Sequence, residues 1–172
     1  MAYGNQVKTD ALSTTYTQEV YPLGSVFVQQ ADEVVAAVHT DGTTSLGLQG
    51  DRTWIFVQAI AAIAAYECCI VSDPAATASF GVIRSDATDD RALDVVGIAQ
   101  TAIPINEYGW IVCAGECVAN GAAGLAAGEF LGTLAGGLVE GTVATTEVAI
   151  GKCLSARGTP VANTVRMRLR LP

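Results

Sequence analysis

The sequence predicts an all-β fold, a β-barrel or β-sandwich of short strands with an extended N-terminal arm. Three observations point there. The apolar residues are mostly Ala, Val, Ile and Leu, with eighteen glycines and few aromatics, a mixture that suits short strands joined by tight turns. Near the end, Val165, Met167, Leu169 and Leu171 alternate with Arg166, Arg168 and Arg170, the period-two signature of a strand. No amphipathic helix longer than about three turns is apparent. A chain of 172 residues buries roughly 70% of its unfolded surface, so one domain with a real core is expected.

Residues 1–20 are polar and without hydrophobic period, yet carry Tyr3 and Tyr16, with Tyr21 just beyond. We divide the chain into an arm at 1–23 and a single β domain at 24–172. Tyrosines on an arm supply anchoring area on a partner, and a frayed terminus fits the composition equally. Strands are expected at 25–28, 34–40 (closed by the turn dipeptide Asp41-Gly42), 53–59, 66–71, 78–83, 94–101, 108–114, 129–134, 148–155 and 164–171.

Two stretches imitate membrane helices. Residues 54–71 are nearly all apolar, and residues 121–141 place glycines at 124, 128, 132 and 136, the spacing of close-packed membrane helices. Glu67 and Glu129 lie inside them, and a carboxylate at mid-bilayer costs roughly 2.5 to 3.5 kcal/mol on insertion scales. Each interior glycine would also weaken a helix in water by about 1 kcal/mol. Strands and turns explain both stretches better, and no membrane partner is expected.

A weak internal echo runs through the chain. Ala65-Tyr66-Glu67, Val95 to Ala99 and Trp110 to Cys113 come in the same order as Ala127-Gly128-Glu129, Ala149 to Cys153 and Val165 to Arg168. Two related units would fit a barrel or sandwich; chance similarity in an Ala- and Gly-rich chain fits as well.

Charge and motifs exclude several functions. The formal charge of −8 disfavours phosphate-backbone binding, which depends on Lys and Arg, so nucleic acid is not an expected partner. The start has neither a basic n-region nor an apolar h-region, so folding in the cytosol is expected. Cys68, Cys69, Cys113, Cys117 and Cys153 have no CxxC spacing and His39 is the one histidine, so neither zinc nor a cofactor is expected, and the thiols read as mostly buried. His39 has no GxSxG elbow for a triad. Asp86, Asp89, Asp90 and Asp94 could offer oxygen ligands to calcium, but they lack EF-hand spacing and enclose Arg91, so a solvated loop is the expected reading. No catalytic residue is assigned, and the chain is not expected to be an enzyme.

The run 95–115, VVGIAQTAIPINEYGWIVCAG, resembles the capsid decoration (cement) proteins of tailed-bacteriophage heads with an HK97-type shell. The elements carrying the resemblance are the V-G-I-A-Q strand, the loop with Asn106, and Tyr108-Gly109-Trp110 opening the next strand. Residues 54–67 and the ending from Ala149 to Pro172 resemble the flanking strands of that family, so the likeness covers about residues 50–172. Cys68-Cys69 and the long N-terminal segment depart from the pattern. The resemblance implies a virion protein on the capsid exterior. It would bind the major capsid protein and itself, commonly as a homotrimer, with a dimer as the second option, and clamp neighbouring shell subunits.

In that setting Tyr3, Tyr16 and Tyr21 on the arm are candidate partner contacts, the arm being expected to add a strand to a capsid sheet edge. Arg166, Arg168 and Arg170 are a second candidate row, unless they serve only to keep an outer strand soluble. A phage tail, baseplate or head-fibre component is the alternative among structural proteins. A carbohydrate-binding or hydrolytic β-domain is the alternative of another class, and it requires Trp54 or Trp110 exposed beside carboxylates.

Overall fold

The computed structural model describes residues 12–30, 51–72, 80–85, 95–141 and 149–154, and the backbone of 163–170. The expected strand at 34–40, with His39, and the acidic residues Asp86, Asp89, Asp90 and Asp94 lie outside the described residues, as does Tyr3. Among the described residues the structure is strand and turn, with a single short 3-10 turn at Leu12.

The strands are β1 (Val26–Gln29), β2 (Arg52–Ala59), β3 (Cys68–Val71), β4 (Gly81–Arg84), β5 (Val95–Ala99), β6 (Tyr108–Gly121), β7 (Phe130–Leu134), β8 (Leu138–Gly141), β9 (Gly151–Cys153) and β10 (Asn163–Arg170). Their pairings close two rings. β2 pairs parallel with β4, β4 antiparallel with β3, β3 with β5, β5 with β6, and β6 back with β2. The second ring repeats that order: β6 pairs parallel with β8, β8 antiparallel with β7, β7 with β9, β9 with β10, and β10 back with β6. The protein is therefore two five-stranded barrels of one topology sharing the 14-residue strand β6, whose first half closes barrel 1 and whose second half opens barrel 2.

The sequence echo is this duplication. β3 corresponds to β7, β5 to β9, and the start of β6 to β10. Equivalent positions fill equivalent interior sites: Val57 and Ala119, Ile63 and Leu125, Cys69 and Leu131, Val82 and Val139, Ala99 and Cys153 are all buried. Backbone bonds repeat too, with Ile60 N donating to Val82 O at 2.9 Å and Ala122 N to Val139 O at 2.8 Å.

One turn occurs three times: Ile63 to Glu67, Ile103 to Glu107 and Leu125 to Glu129. In each the glutamate N–H donates to the carbonyl three residues back, Ala64, Pro104 or Ala126, at 3.4, 3.1 and 3.3 Å. The residue before the glutamate has positive φ, 70° at Tyr66, 64° at Asn106 and 93° at Gly128, the conformation a type II turn requires at its third position. The glutamate carboxylate accepts from Ala64 N at 2.8 Å and from Ala126 N at 2.9 Å; Pro104 has no N–H to give. Each turn then locks to a strand end through a reciprocal pair. Tyr66 N donates to Ala99 O and Ala99 N to Glu67 O. Asn106 N donates to Ala59 O and Ala59 N to Glu107 O, and Gly128 N to Cys153 O and Cys153 N to Glu129 O.

β6 changes barrels at a bend. Its pairing with β2 slips between Thr53 and Trp54, so that Thr53 faces Ala114, Trp54 faces Val112, and Cys113 is left over, a β-bulge. Gly115 follows with φ of 99°, and a Cβ there would lie 2.4 Å from Asp51 O. Only glycine fits that close approach. The bulge breaks the alternation that would put Cys113 and Cys117 on one face; Cys113 is half-buried and Cys117 buried.

The stretches that imitate membrane helices are resolved as β2, turn and β3, and as the end of β6, turn, β7 and β8. No helix among the described residues is long and apolar enough to cross a membrane.

Because Tyr66 holds a left-handed conformation that costs an ordinary side chain about 1–2 kcal/mol and that Asn adopts readily, Tyr66→Asn should raise unfolding free energy by about 1 kcal/mol. Urea denaturation measures it, and a loss of stability would show that the ring contributes more than the turn costs.

Candidate interaction surface

Among the described residues, both tryptophans are committed to the fold. Trp54 and Trp110 are 4% and 1% exposed. Trp110 sits in an aromatic layer with Tyr21, Phe27 and Phe56 at centroid distances of 5.3, 6.4 and 5.2 Å. Phe56 in turn stacks on Tyr108 with planes 13° apart. Burying each such ring contributes roughly 1.5–3 kcal/mol. Neither indole offers a face to a sugar ring, the feature a carbohydrate cleft on these residues would need.

Beneath this layer, where β6 changes barrels, lies a buried polar group. Gln29 accepts from the Trp54 indole N–H at 3.1 Å, and Arg52 Nε donates to the Glu116 carbonyl at 2.6 Å. The Arg52 guanidinium also lies 6.0 Å from the Trp54 ring centroid. Burial pulls the Arg52 pKa down, while the neighbouring Cys117 and Glu116 oppose that shift. Arginine stays a cation under such a shift, so the crossover holds a buried positive charge bound by the Glu116 backbone carbonyl. A buried charge is costly unless it is hydrogen-bonded, which makes the bond from Arg52 to the Glu116 carbonyl a constraint on register.

The structure places the candidate contact residues as follows. Tyr16 pairs with Tyr108 as an isolated bridge, its N–H donating to Tyr108 O at 2.9 Å and its carbonyl accepting from Tyr108 N at 2.8 Å. Burial, with the neighbouring Tyr21, pushes the Tyr16 phenol up. Tyr21 packs edge-on against Phe56 and Trp110, and Leu12 is buried in the same cluster. Residues 12–25 thus cover the outer face of barrel 1, and Tyr16 and Tyr21 meet their own chain. For Arg166, Arg168 and Arg170 the backbone register sets them opposite Val118, Glu116 and Ala114 of β6.

The exposed apolar residues were not singled out from sequence. Val20, Val26 and Val28 are 50%, 61% and 52% exposed, and Ile105 and Phe130 are 57% and 60% exposed. Val26 and Val28 lie on β1, the end strand of the sheet order among the described residues, on the face opposite Phe27. Alternation at 25–28 revealed the strand, but its neighbours on β2 decide which of its faces is wet. Among the described residues no group of three or more His, Cys, Asp or Glu is arranged to hold a metal ion.

No family model matches the chain, and no curated protein matches it either. Among solved structures, the chain is similar to the N base of head fiber gp8.5 of bacteriophage phi29, with a TM-score of 0.48 and 11% identity over 68% of this chain and 92% of that one.

Burial pushes the Cys69 and Cys117 thiols up to about 12, so both are neutral and poorly nucleophilic at about pH 8. A thiol reagent at that pH should leave them unmodified in the native protein and react with all five cysteines in denaturant. The same shift sets an alkaline limit. The unfolded thiols ionise near 9.0 and the folded ones only near 12, so this contribution is full below pH 9 and declines as pH rises toward 12. Rapid native labelling of either residue would contradict the placement.

Proposed function

We propose that this chain is a bacteriophage virion structural protein, and more specifically a capsid decoration protein that binds the outer surface of the major capsid protein shell and stabilises it. It acts without catalysis, cofactor or metal. The resemblance at 95–115 supports the reading, because its residues serve as scaffold: β5, the Asn106 turn and the opening of β6. The observation that carries it furthest is the division of labour among side chains. Both tryptophans, Arg52 and Glu116 are buried in the fold, while Val20, Val26 and Val28 face water. A surface built this way works by contact.

Residues 12–23 are fastened to barrel 1 through Leu12, Tyr16 and Tyr21, so we assign the shell contact to β1. The exposed valines of β1 would supply apolar contact with the shell, where repeated sites make modest contacts collectively strong. Mixing the purified chain with expanded heads that lack it, followed by sedimentation, tests this. The wild type should saturate the heads, and the double variant Val26→Asp, Val28→Asp should bind at least about tenfold more weakly, a change of about 1.4 kcal/mol. Absence of wild-type binding, or undiminished binding by the double variant, would refute the assignment.

A further inference from the structure

We infer that the exposed face made by β1 and the start of β2 takes an apolar segment of the shell protein flanked by Lys or Arg. The inference deepens the shell assignment and rests on it for where contact is made.

Strand register builds the face. Val26 pairs with Ile55 and Val28 with Thr53, and directly opposed residues of an antiparallel pair project to the same side. Val26 and Val28 are 61% and 52% exposed, while Ile55 and Thr53 are half-buried. Phe27, between the valines, turns the other way and meets Trp110. Ile55 packs on the interior cluster of barrel 1, so the two valines continue an apolar surface that is core where the barrel covers it. Contiguous apolar surface of this kind, left facing water, marks a contact site.

Charge identifies the occupant. Residues 9–51 hold six acids, Asp10, Glu19, Asp32, Glu33, Asp41 and Asp51, and no Lys or Arg, which is −6 of the formal −8 in the stretch that contains β1. Two of these acids border the face. Glu19 caps the turn leading into β1, its carboxylate accepting from Leu23 N at 3.2 Å. Asp51 is exposed one residue beyond the Gln29–Arg52 pair that ends the strand pairing. The cations of barrel 1 among the described residues are engaged elsewhere: Arg52 is buried and donates to the Glu116 carbonyl, and Arg84 lies 3.8 Å from the Glu67 carboxylate. The face is therefore apolar within an acidic surround. Such a surround repels anionic lipid headgroups and nucleic-acid backbone, and two copies of the face set against each other would oppose like charges. A protein segment with apolar side chains at its centre and basic ones at its margin satisfies both parts of the face.

Binding of the full chain to expanded heads that lack it, followed in real time at several salt concentrations, tests this chemistry. Wild-type association should slow at least about tenfold between about 50 and about 500 mM NaCl. The double variant Glu19→Gln, Asp51→Asn keeps an oxygen to cap Leu23. It should associate at least about threefold more slowly at low salt, dissociate at the wild-type rate, and match the wild type at about 1 M NaCl. Val26→Ser, Val28→Ser should instead dissociate at least about tenfold faster, with the salt dependence of the wild type. All variants should keep the wild-type strand spectrum. If the wild type does not bind heads, the shell assignment fails and this inference falls with it. If the valine variant loses binding while wild-type association ignores salt and the neutralised variant behaves as wild type, the shell assignment stands and the basic margin is refuted. Self-association of the free chain that Val26→Ser, Val28→Ser abolishes would give the face to a second copy and overturn the inference.

Discussion

Strand β6 is the constraint from which the rest of the structure follows. It must complete one barrel between β5 and β2 and then, without a break in the chain, open a second between β10 and β8. A regular strand cannot turn between two small cylinders, so the bulge at Cys113 and the left-handed Gly115 bend it. The bend brings backbone and charge into an apolar interior, and the Gln29, Arg52, Trp54 and Glu116 group satisfies them there. A shift of one residue along β6 would separate these partners and turn every interior side chain outward. The same strand clamps the barrels together, since Gln100 holds Val118 through both its amide nitrogen and its oxygen, at 2.9 and 3.2 Å.

Much of this was legible in the sequence where physics is local. The all-β class and nine of the strands follow from alternation and turn residues, and the echo of Ala65-Tyr66-Glu67 in Ala127-Gly128-Glu129 marks a true duplication. What sequence reading missed depends on neighbours. β8, between Gly137 and Gly141, reads as part of a glycine-rich connection because its four residues are too few to show a period. The continuation of β6 past Ala114 is hidden by Gly115, which in isolation signals an end to a strand. The middle turn, Ile103 to Glu107, escaped notice because Pro104 and Asn106 stand where the other copies have alanine and Tyr or Gly, although each substitution suits the geometry.

The candidate contacts show the same division. Tyrosines in a polar segment signal anchoring, and Tyr16 and Tyr21 do anchor, but on Tyr108, Phe56 and Trp110 of their own barrel. Nothing in the local pattern tells whether an aromatic ring meets its own chain or another. The valines of β1 and the ring of Phe130 have the composition of core residues, and only the assembled barrels reveal that they face water.

If β6 is a shared strand, neither barrel can unfold without exposing the other's closing edge, and the chain must lose both together. The direct measurement is equilibrium unfolding in urea followed by two reporters: the fluorescence of Trp54 and Trp110 for barrel 1, and the accessibility of the Cys153 thiol for barrel 2. The account predicts coincident curves with a single midpoint. Exposure of Cys153 at lower urea, with tryptophan emission still native, would contradict it.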